Sequence, residues 1–235
     1  MFELKRRRLL KALAWLGAGA GTGAGIDAAT AAAMAVAPAQ DGAAVPVYVI
    51  PLDDFPEALA GTLAQRLQDE LGIRVRPSLR LPPLDVPMLP GTRQLVAEEL
   101  LVRAVAASSR LPELGPATYR VFLTTRDING ESGTLRFTFA THMPSLQGSV
   151  VSMARLVTGT LAVAQEDERA RASARLHKLV KRAIGEAHLG WRRSTDPHDL
   201  MYAPLMNVYD IDRLGNDHRE PDGATSSVCP PGRCI

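Results

Sequence analysis

The stretch from Arg182 to Tyr202 constrains the fold of this chain more than any other part of the sequence. It begins in the last two turns of a long helix predicted over residues 166–188. That helix has acidic residues in its first turn and basic residues near its end, as the helix dipole favours. Leu189-Gly190 ends that helix, because glycine readily adopts the left-handed conformation that terminates helices. A polar loop then leads to Met201-Tyr202. The stretch therefore predicts a long helix, a glycine stop and a returning loop.

The same residues resemble the active-site segment of metzincin zinc proteases, whose pattern is H-E-x-x-H-x-x-G-x-x-H followed by a turn containing Met. If the glycine of that pattern is placed on Gly190, Met201 stands at the Met-turn and Ile184 at the general base. The three zinc-ligand positions then hold Ala183, Ala187 and Arg193. Neither alanine nor a permanently charged arginine binds a cation, whereas a catalytic zinc needs three protein ligands. The resemblance implies structural roles for Gly190 and Met201 and no residue in a catalytic or metal-binding role.

Two alternatives keep some metal chemistry. A gapped alignment treats Gly185-Glu186 and His188 as remnants of the H-E pair and the second histidine, but it requires two deletions inside a helix. Each deletion turns the following residues by about 100°. A site with relocated ligands would use His188, His198 and either Glu186 or Asp199, since imidazole and carboxylate groups suit zinc. Unless ligands are relocated, no cofactor is expected.

The remaining sequence predicts strands alternating with helices. Apolar, β-branched or alternating runs predict strands at 45–52, 73–76, 119–125, 135–141 and 149–153. Apolar periodicity predicts helices between the Asp53-Asp54 cap and Gly72, over 92–107, and over 208–214. The run at 135–141 alternates strictly and is typical of an edge strand. This order predicts a mixed α/β fold in which helices pack on a mixed sheet.

From residue 45 to residue 214 the chain resembles the archaemetzincins, a branch of the metzincins. The segments that carry the resemblance are V-Y-V-I-P-L-D-D-F at 47–55, L-G-I-R-V-R at 71–76, V-F-L-T-T-R-D-I at 121–128, L-R-F-T-F-A at 135–140 and V-V-S-M-A-R-L at 150–156. The resemblance implies a single domain with a twisted mixed sheet packed with helices and a substrate groove. It also implies a second, cysteine-bound zinc, but Ser194 and Asp199 occupy the first two cysteine positions.

The N-terminus predicts export. Residues 5–11, K-R-R-R-L-L-K, resemble a twin-arginine signal, and Ala37-Pro38-Ala39 matches an A-x-A cleavage site. The predicted organisation is an export signal at 1–39, the archaemetzincin-like domain at 40–214 and a flexible tail at 215–235. The expected location is periplasmic or extracellular. An uncleaved signal is the alternative, and it would provide the only membrane contact expected.

The charge distribution limits the kinds of partner that are expected, and the positions of the cysteines predict a disulfide. Residues 1–39 hold five basic and two acidic side chains, whereas the remainder holds 22 basic and 23 acidic, so no nucleic-acid partner is expected. The two cysteines, Cys229 and Cys234, lie in the tail, where a small disulfide loop is expected in an oxidising compartment.

Three functions remain open at this point. The first is a non-catalytic pseudoprotease that binds a peptide or protein partner in the inherited groove. The second is a metal-dependent peptidase with relocated ligands, and the third is a structural exported domain.

Overall fold

The computed structural model describes residues 44–53, 55–157 and 166–219. Its main sheet has five strands, which are numbered in chain order. Listed from one edge of the sheet to the other, they are Val75–Pro77 (β2), Val47–Pro51 (β1), Tyr119–Thr124 (β4), Gly148–Ser152 (β7) and Ala140–Met143 (β6). β1, β2, β4 and β7 are parallel, and β6 runs antiparallel to β7 at the edge. A small parallel sheet pairs Leu95–Val96 (β3) with Ile128–Asn129 (β5).

Helices cover both faces of the main sheet. Glu57–Leu71 (α1), Glu166–Ala187 (α3) and Val208–Arg213 (α4) pack on the face formed by Val47, Val49 and their neighbours. Ala97–Ala107 (α2) packs on the opposite face with Tyr48 and Ile50. Successive strand residues point to opposite faces, so a strand buried on both sides has a continuous apolar sequence. The fold class predicted from the sequence, a mixed α/β fold with helices packed on the sheet, is confirmed.

Buried cations fix α3 in place. The Arg175 guanidinium contacts the Asp212 carboxylate of α4, with 2.7 Å between Nε and Oδ1. One turn and a half further along, Lys181 Nζ lies 2.9 Å from a Glu70 carboxylate oxygen of α1. Because both cations are more than nine-tenths buried and both are paired, α3 is held against two other helices by charge as well as by apolar contact.

The edge strand lies later in the chain than predicted. The sequence placed it at 135–141, but only 140–143 pair with β7. Side-chain amides bind the carbonyls of the earlier residues instead: Asn129 donates to Leu135 O and Gln94 to Arg136 O. Phe137 and Phe139 make an edge-to-face ring contact with centroids 5.0 Å apart, and Thr138 between them forms an isolated antiparallel bridge with Ile128.

Two other boundaries also differ from the predictions. Leu95 and Val96 belong to β3 rather than to the following helix, because Leu95 N donates to Asp127 O in the adjacent loop. Asp53 does not cap α1: its φ is 49° and its carboxylate accepts from the Thr124 hydroxyl, while Pro56 precedes the helix without a side-chain cap.

The predicted export signal and both tail cysteines lie outside the described residues. Among those described, no helix is long and apolar enough to cross a membrane. The first five residues of the predicted tail, 215–219, contact the body of the domain. Gly215 N donates to His198 O at 2.7 Å, and His218 contacts Asp199.

Candidate functional site

The C-terminal end of α3 is wider than a regular α-helix. Ile184 O accepts the regular bond from His188 N at 2.8 Å and a second bond from Leu189 N, five residues on, at 3.1 Å, and Trp191 N reaches back to Gly185 O at 2.8 Å. Gly190 follows with φ 73°, in the left-handed region that favours glycine. A turn of this π type absorbs one extra residue in a helix and often occurs at functional sites.

The Trp191 ring packs directly on this wide turn. A Cβ atom added to Gly185 would lie 2.0 Å from the indole ring, so glycine is required where the ring crosses the helix. On its other side, the indole lies against the His218 ring, with centroids 5.5 Å apart. A histidine at position 185, as the gapped alignment requires, would collide with this ring.

The loop after Gly190 pairs with the turn around Met201. Ser194 N donates to Met201 O at 3.0 Å, and Ala203 N donates back to Ser194 O at 3.1 Å. Met201 itself is fully buried. The glycine stop and the methionine turn are thus held together by main-chain hydrogen bonds.

Asp199 anchors that loop from within. Its carboxylate accepts from Met201 N at 2.6 Å, from His218 Nδ1 at 2.9 Å and from Arg219 N at 2.8 Å. Burial alone would raise the pKa of Asp199, but these hydrogen bonds together hold it below its usual value. The carboxylate is therefore fully engaged inside the protein.

A groove of about 390 Å³ opens beside this loop. One wall is the edge strand β6 with the preceding residues 135–139, and the facing wall is the C-terminal half of α3. The loop 203–206 closes one end. The lining is largely apolar, with Leu179 and Leu205 among its members.

The polar part of the groove is a cluster of two arginines and one glutamate. On α3, Arg182 and Glu186 lie one turn apart on the groove wall, and Arg193 joins them from beyond the glycine stop. Arg193 Nη2 lies 3.0 Å from Glu186 Oε1. Arg182 is only 8% exposed, and its Nη1 donates to Leu200 O at 3.0 Å and to Tyr202 O. Arg182 thus holds the carbonyls on both sides of Met201.

A buried chain of hydrogen bonds runs across the main sheet to the groove. Tyr119 contacts Ser149 through their hydroxyls, and Ser149 Oγ lies 2.5 Å from His142 Nδ1. Tyr119 has no second hydrogen-bond partner among the described residues, so its proton must go to Ser149, whose own proton then goes to His142 Nδ1. Burial lowers the pKa of His142, which keeps the ring neutral. His142 is therefore held with its proton on Nε2, as a hydrogen-bond donor lining the groove.

The edge strand also presents main-chain groups to the groove. Ser152 N donates to Phe139 O, so Phe139 forms a hydrogen-bonded pair across the β6–β7 ladder. Such pairs alternate in an antiparallel ladder, and the intervening residues, Ala140 and His142, direct their N–H and C=O groups away from β7. Both residues line the groove, so its wall includes the outer edge of β6, where the Ala140 carbonyl also accepts from the Thr138 hydroxyl at 3.0 Å.

Solved structures with a similar fold include a zinc-dependent peptidase and two archaemetzincins. A zinc-dependent peptidase from Methanocorpusculum labreanum is 19% identical, with 74% of this chain and 95% of that chain covered and a TM-score of 0.61. An archaemetzincin from Methanopyrus kandleri is 18% identical over 76% of this chain and 91% of its own, with a TM-score of 0.54. An archaemetzincin from Archaeoglobus fulgidus is 22% identical over 74% and 94%, with a TM-score of 0.54.

This chain has an archaemetzincin-like fold. The resemblance noted in the sequence is thereby confirmed at the level of the fold. No protein-family model matches the chain, and no curated protein sequence matches it either.

The groove of this archaemetzincin-like fold is not lined by Ala183 or Ala187, where the sequence alignment placed two ligand positions. Ala183 is fully buried, and the α3 side chains that line the groove are Leu179, Arg182 and Glu186.

The groove residues do not fit a zinc ion. A catalytic zinc needs three ligand side chains, whereas the converging groups here are two guanidinium groups and one carboxylate that is already paired with Arg193. Nor are the relocated ligands brought together, since Asp199 binds His218 and backbone groups on its own side of the loop. Over residues 44–53, 55–157 and 166–219, no group of three or more His, Cys, Asp or Glu side chains could hold a metal.

Sequence reasoning missed three residues of this site. Tyr119, Ser149 and His142 lie on three different strands, and only the strand order β4-β7-β6 brings them together. No sequence spacing predicts this cluster, because its residues are neighbours in the sheet and not in the chain.

Proposed function

We propose that this chain is a non-catalytic relative of the zinc metallopeptidases that binds an extended peptide segment of a partner in its groove. The observation that supports this most is the arginine–glutamate–arginine cluster on the groove wall. Two of its members lie one turn apart on α3, and Arg193 is the third residue after Gly190. The cluster offers mainly positive charge, whereas a metal centre needs lone pairs.

The edge strand supplies the means of binding. An extended peptide can add to an exposed strand edge through main-chain hydrogen bonds, while pockets beside the edge select alternate side chains. Ala140 and His142 direct their main-chain groups into the groove, and Leu179 and Leu205 provide an apolar lining. The groove therefore offers both components of strand addition.

We further propose that this binding takes place outside the cytoplasm. The support is the K-R-R-R-L-L-K segment and the Ala37-Pro38-Ala39 site in the N-terminal sequence. Replacing Arg6, Arg7 and Arg8 with lysine should stop twin-arginine export. Export that continues unchanged by the twin-arginine route would contradict this part of the proposal.

An internally quenched octapeptide mixture tests binding and cleavage in one assay. With the purified full chain and added zinc, fluorescence anisotropy should show saturable binding. The fluorescence that cleavage would release should stay at the level of a control without protein. Replacing Ala140 with proline removes an outward N–H from an edge strand that tolerates proline, and it should weaken binding. Ala140→Ser keeps the N–H and serves as the control.

Two results would overturn the proposal. Turnover of the mixture would show that the protein is a peptidase after all. Absence of binding, or equal binding by the Ala140→Pro and Ala140→Ser proteins, would show that the strand edge is not a peptide site.

A further inference from the structure

The groove wall carries more positive than negative charge. Among the described residues, its basic side chains are Arg136, Arg182 and Arg193, and its only acidic side chain is Glu186. Glu186 is paired directly with Arg193 at 3.0 Å, and it acts on Arg182 through its charge without a direct contact. A ligand that enters the groove therefore meets a net positive charge.

Arg182 is the most constrained of these cations. Its guanidinium is more than nine-tenths buried, and the partners that it contacts are the neutral carbonyls of Leu200 and Tyr202. A buried charge without an ionic partner is costly, and a carboxylate brought beside it would offset part of that cost. Guanidinium groups also match carboxylates geometrically, since they present several N–H donors in one plane.

His142 adds a neutral donor to the same wall. The chain from Tyr119 through Ser149 fixes its Nε2–H tautomer. His142 lines the same groove as Arg182, Glu186 and Arg193. Two guanidinium groups and a neutral N–H donor on one wall favour the binding of a carboxylate.

We propose that the groove selects acidic extended peptides and binds one carboxylate between Arg182 and Arg193, with His142 Nε2–H as an additional donor. This inference rests on the proposed peptide-binding function and names the chemical class of its ligand. The carboxylate can come from an Asp or Glu side chain or from the C-terminus of the peptide, and the test separates these sources.

Four labelled octapeptide mixtures test the selectivity by fluorescence anisotropy with the full chain. Three are amidated at the C-terminus and carry Glu, Gln or Lys at a fixed central position, and the fourth carries central Gln with a free C-terminal carboxylate. We expect the Glu mixture to bind about tenfold more tightly than the Gln mixture, the effect of one well-placed charge pair, and the Lys mixture to bind weakest. If the free-carboxylate Gln mixture binds as tightly as the Glu mixture, the C-terminus is the source.

Failure of this inference can be told apart from failure of the proposed function. If all four mixtures bind equally and Ala140→Pro weakens each of them, the groove binds peptides without selecting acids, and only the inference is overturned. If none of the mixtures binds, the proposed function fails with it.

A matched pair of arginine variants tests the location of the effect. Arg193→Gln removes a charge from the groove wall, whereas Arg192→Gln removes the same charge from an exposed neighbour that is not part of the wall. Arg193→Gln should abolish most of the preference for Glu over Gln, and Arg192→Gln should leave it unchanged. Glu186→Gln should instead strengthen binding of the Glu mixture several-fold, because it frees Arg193. Equal effects of the two arginine variants would overturn the assignment.

Discussion

At the scale of single residues, Asp199 organises the loop that follows the glycine stop. Its carboxylate accepts from Met201 N, Arg219 N and His218 Nδ1, and it is only 2% exposed. Asp199→Ala would leave three donors without an acceptor, each costing about 1–3 kcal/mol when it stays buried. We expect a loss of about 3 kcal/mol in the free energy of unfolding at pH 7, measured by urea denaturation.

The pH dependence of that loss follows from the lowered pKa of Asp199. An acid whose pKa is lower in the folded state stabilises the fold above its unfolded pKa of 3.8, and this contribution disappears as the pH falls through the folded value. The difference between wild type and Asp199→Ala should therefore shrink below pH 3.8. Asp196→Ala, which removes an exposed carboxylate three residues earlier, is the control and should lose less than half as much.

His142 gives a second residue-scale prediction. Burial lowers its pKa, so protonation favours the unfolded chain, and stability should fall as the pH drops below about 6.5 toward the folded value. His142→Gln should remove this part of the pH dependence. In a nuclear magnetic resonance titration, the midpoint of the His142 ring should lie below the ordinary value for histidine. Compared with wild type, the midpoint should be higher in Arg193→Gln and lower in Glu186→Gln. A midpoint that neither variant moves would contradict the placement of His142 beside the charged cluster.

At the scale of elements, the wide turn at the end of α3 separates what the sequence predicts from what it does not. The sequence predicts the long helix, the glycine stop and the returning methionine loop, because charge at helix ends and glycine at stops are local signals. It does not predict that Leu189 N bonds to Ile184 O, since that choice depends on Trp191 packing against Gly185. At this end of the helix, Arg182 and Glu186 line the groove, whereas Ala183 is buried.

Gly185 tests this contact. A glycine-to-alanine change in a helix usually stabilises it by about 1 kcal/mol, but at position 185 the new methyl group would lie 2.0 Å from the Trp191 ring. We expect Gly185→Ala to destabilise the fold by about 1–3 kcal/mol through overpacking and to shift the tryptophan fluorescence. Gly61→Ala in α1, where an added Cβ meets nothing within 4 Å, should be stabilising. Stabilisation by both changes would show that Trp191 does not cross the helix here.

The position of the groove wall can be tested by building a metal site. Histidine at Arg182, Glu186 and Arg193 would place three ligands on the wall, two of them one helical turn apart. Arg182→His also removes the bonds to the carbonyls around Met201, so this protein should be less stable without metal than with it. Calorimetric titration should show zinc binding that raises the melting temperature.

The matched design carries histidine at Ala183, Ala187 and Arg193, the positions of the ungapped sequence alignment. Ala183 is fully buried, so a histidine there would be overpacked and directed into the core. This design should bind zinc no better than wild type. If it binds zinc and the Arg182 design does not, the alignment from the sequence is right and the groove wall has been misassigned.

At the scale of the whole molecule, the sequence predicts the mixed sheet and its helices but not the site between them. Residues 47–51 are buried on both faces, and a continuous apolar run of that length predicts a central strand. The short connection at 144–147 pairs β6 with β7, but no local pattern predicts that this pair forms the edge of the sheet opposite α3. The groove is a product of strand order, which is decided by packing over the whole sheet rather than by any local pattern.

The central claim is that this archaemetzincin-like groove works without a metal, and metal content tests it most directly. The full chain would be purified without an affinity tag that binds metal, dialysed against excess zinc and then against zinc-free buffer, and analysed by inductively coupled plasma mass spectrometry. The account predicts far less than one zinc per chain, with no change on His188→Ala. One zinc per chain that is lost on His188→Ala would contradict it and establish a metal site with relocated ligands.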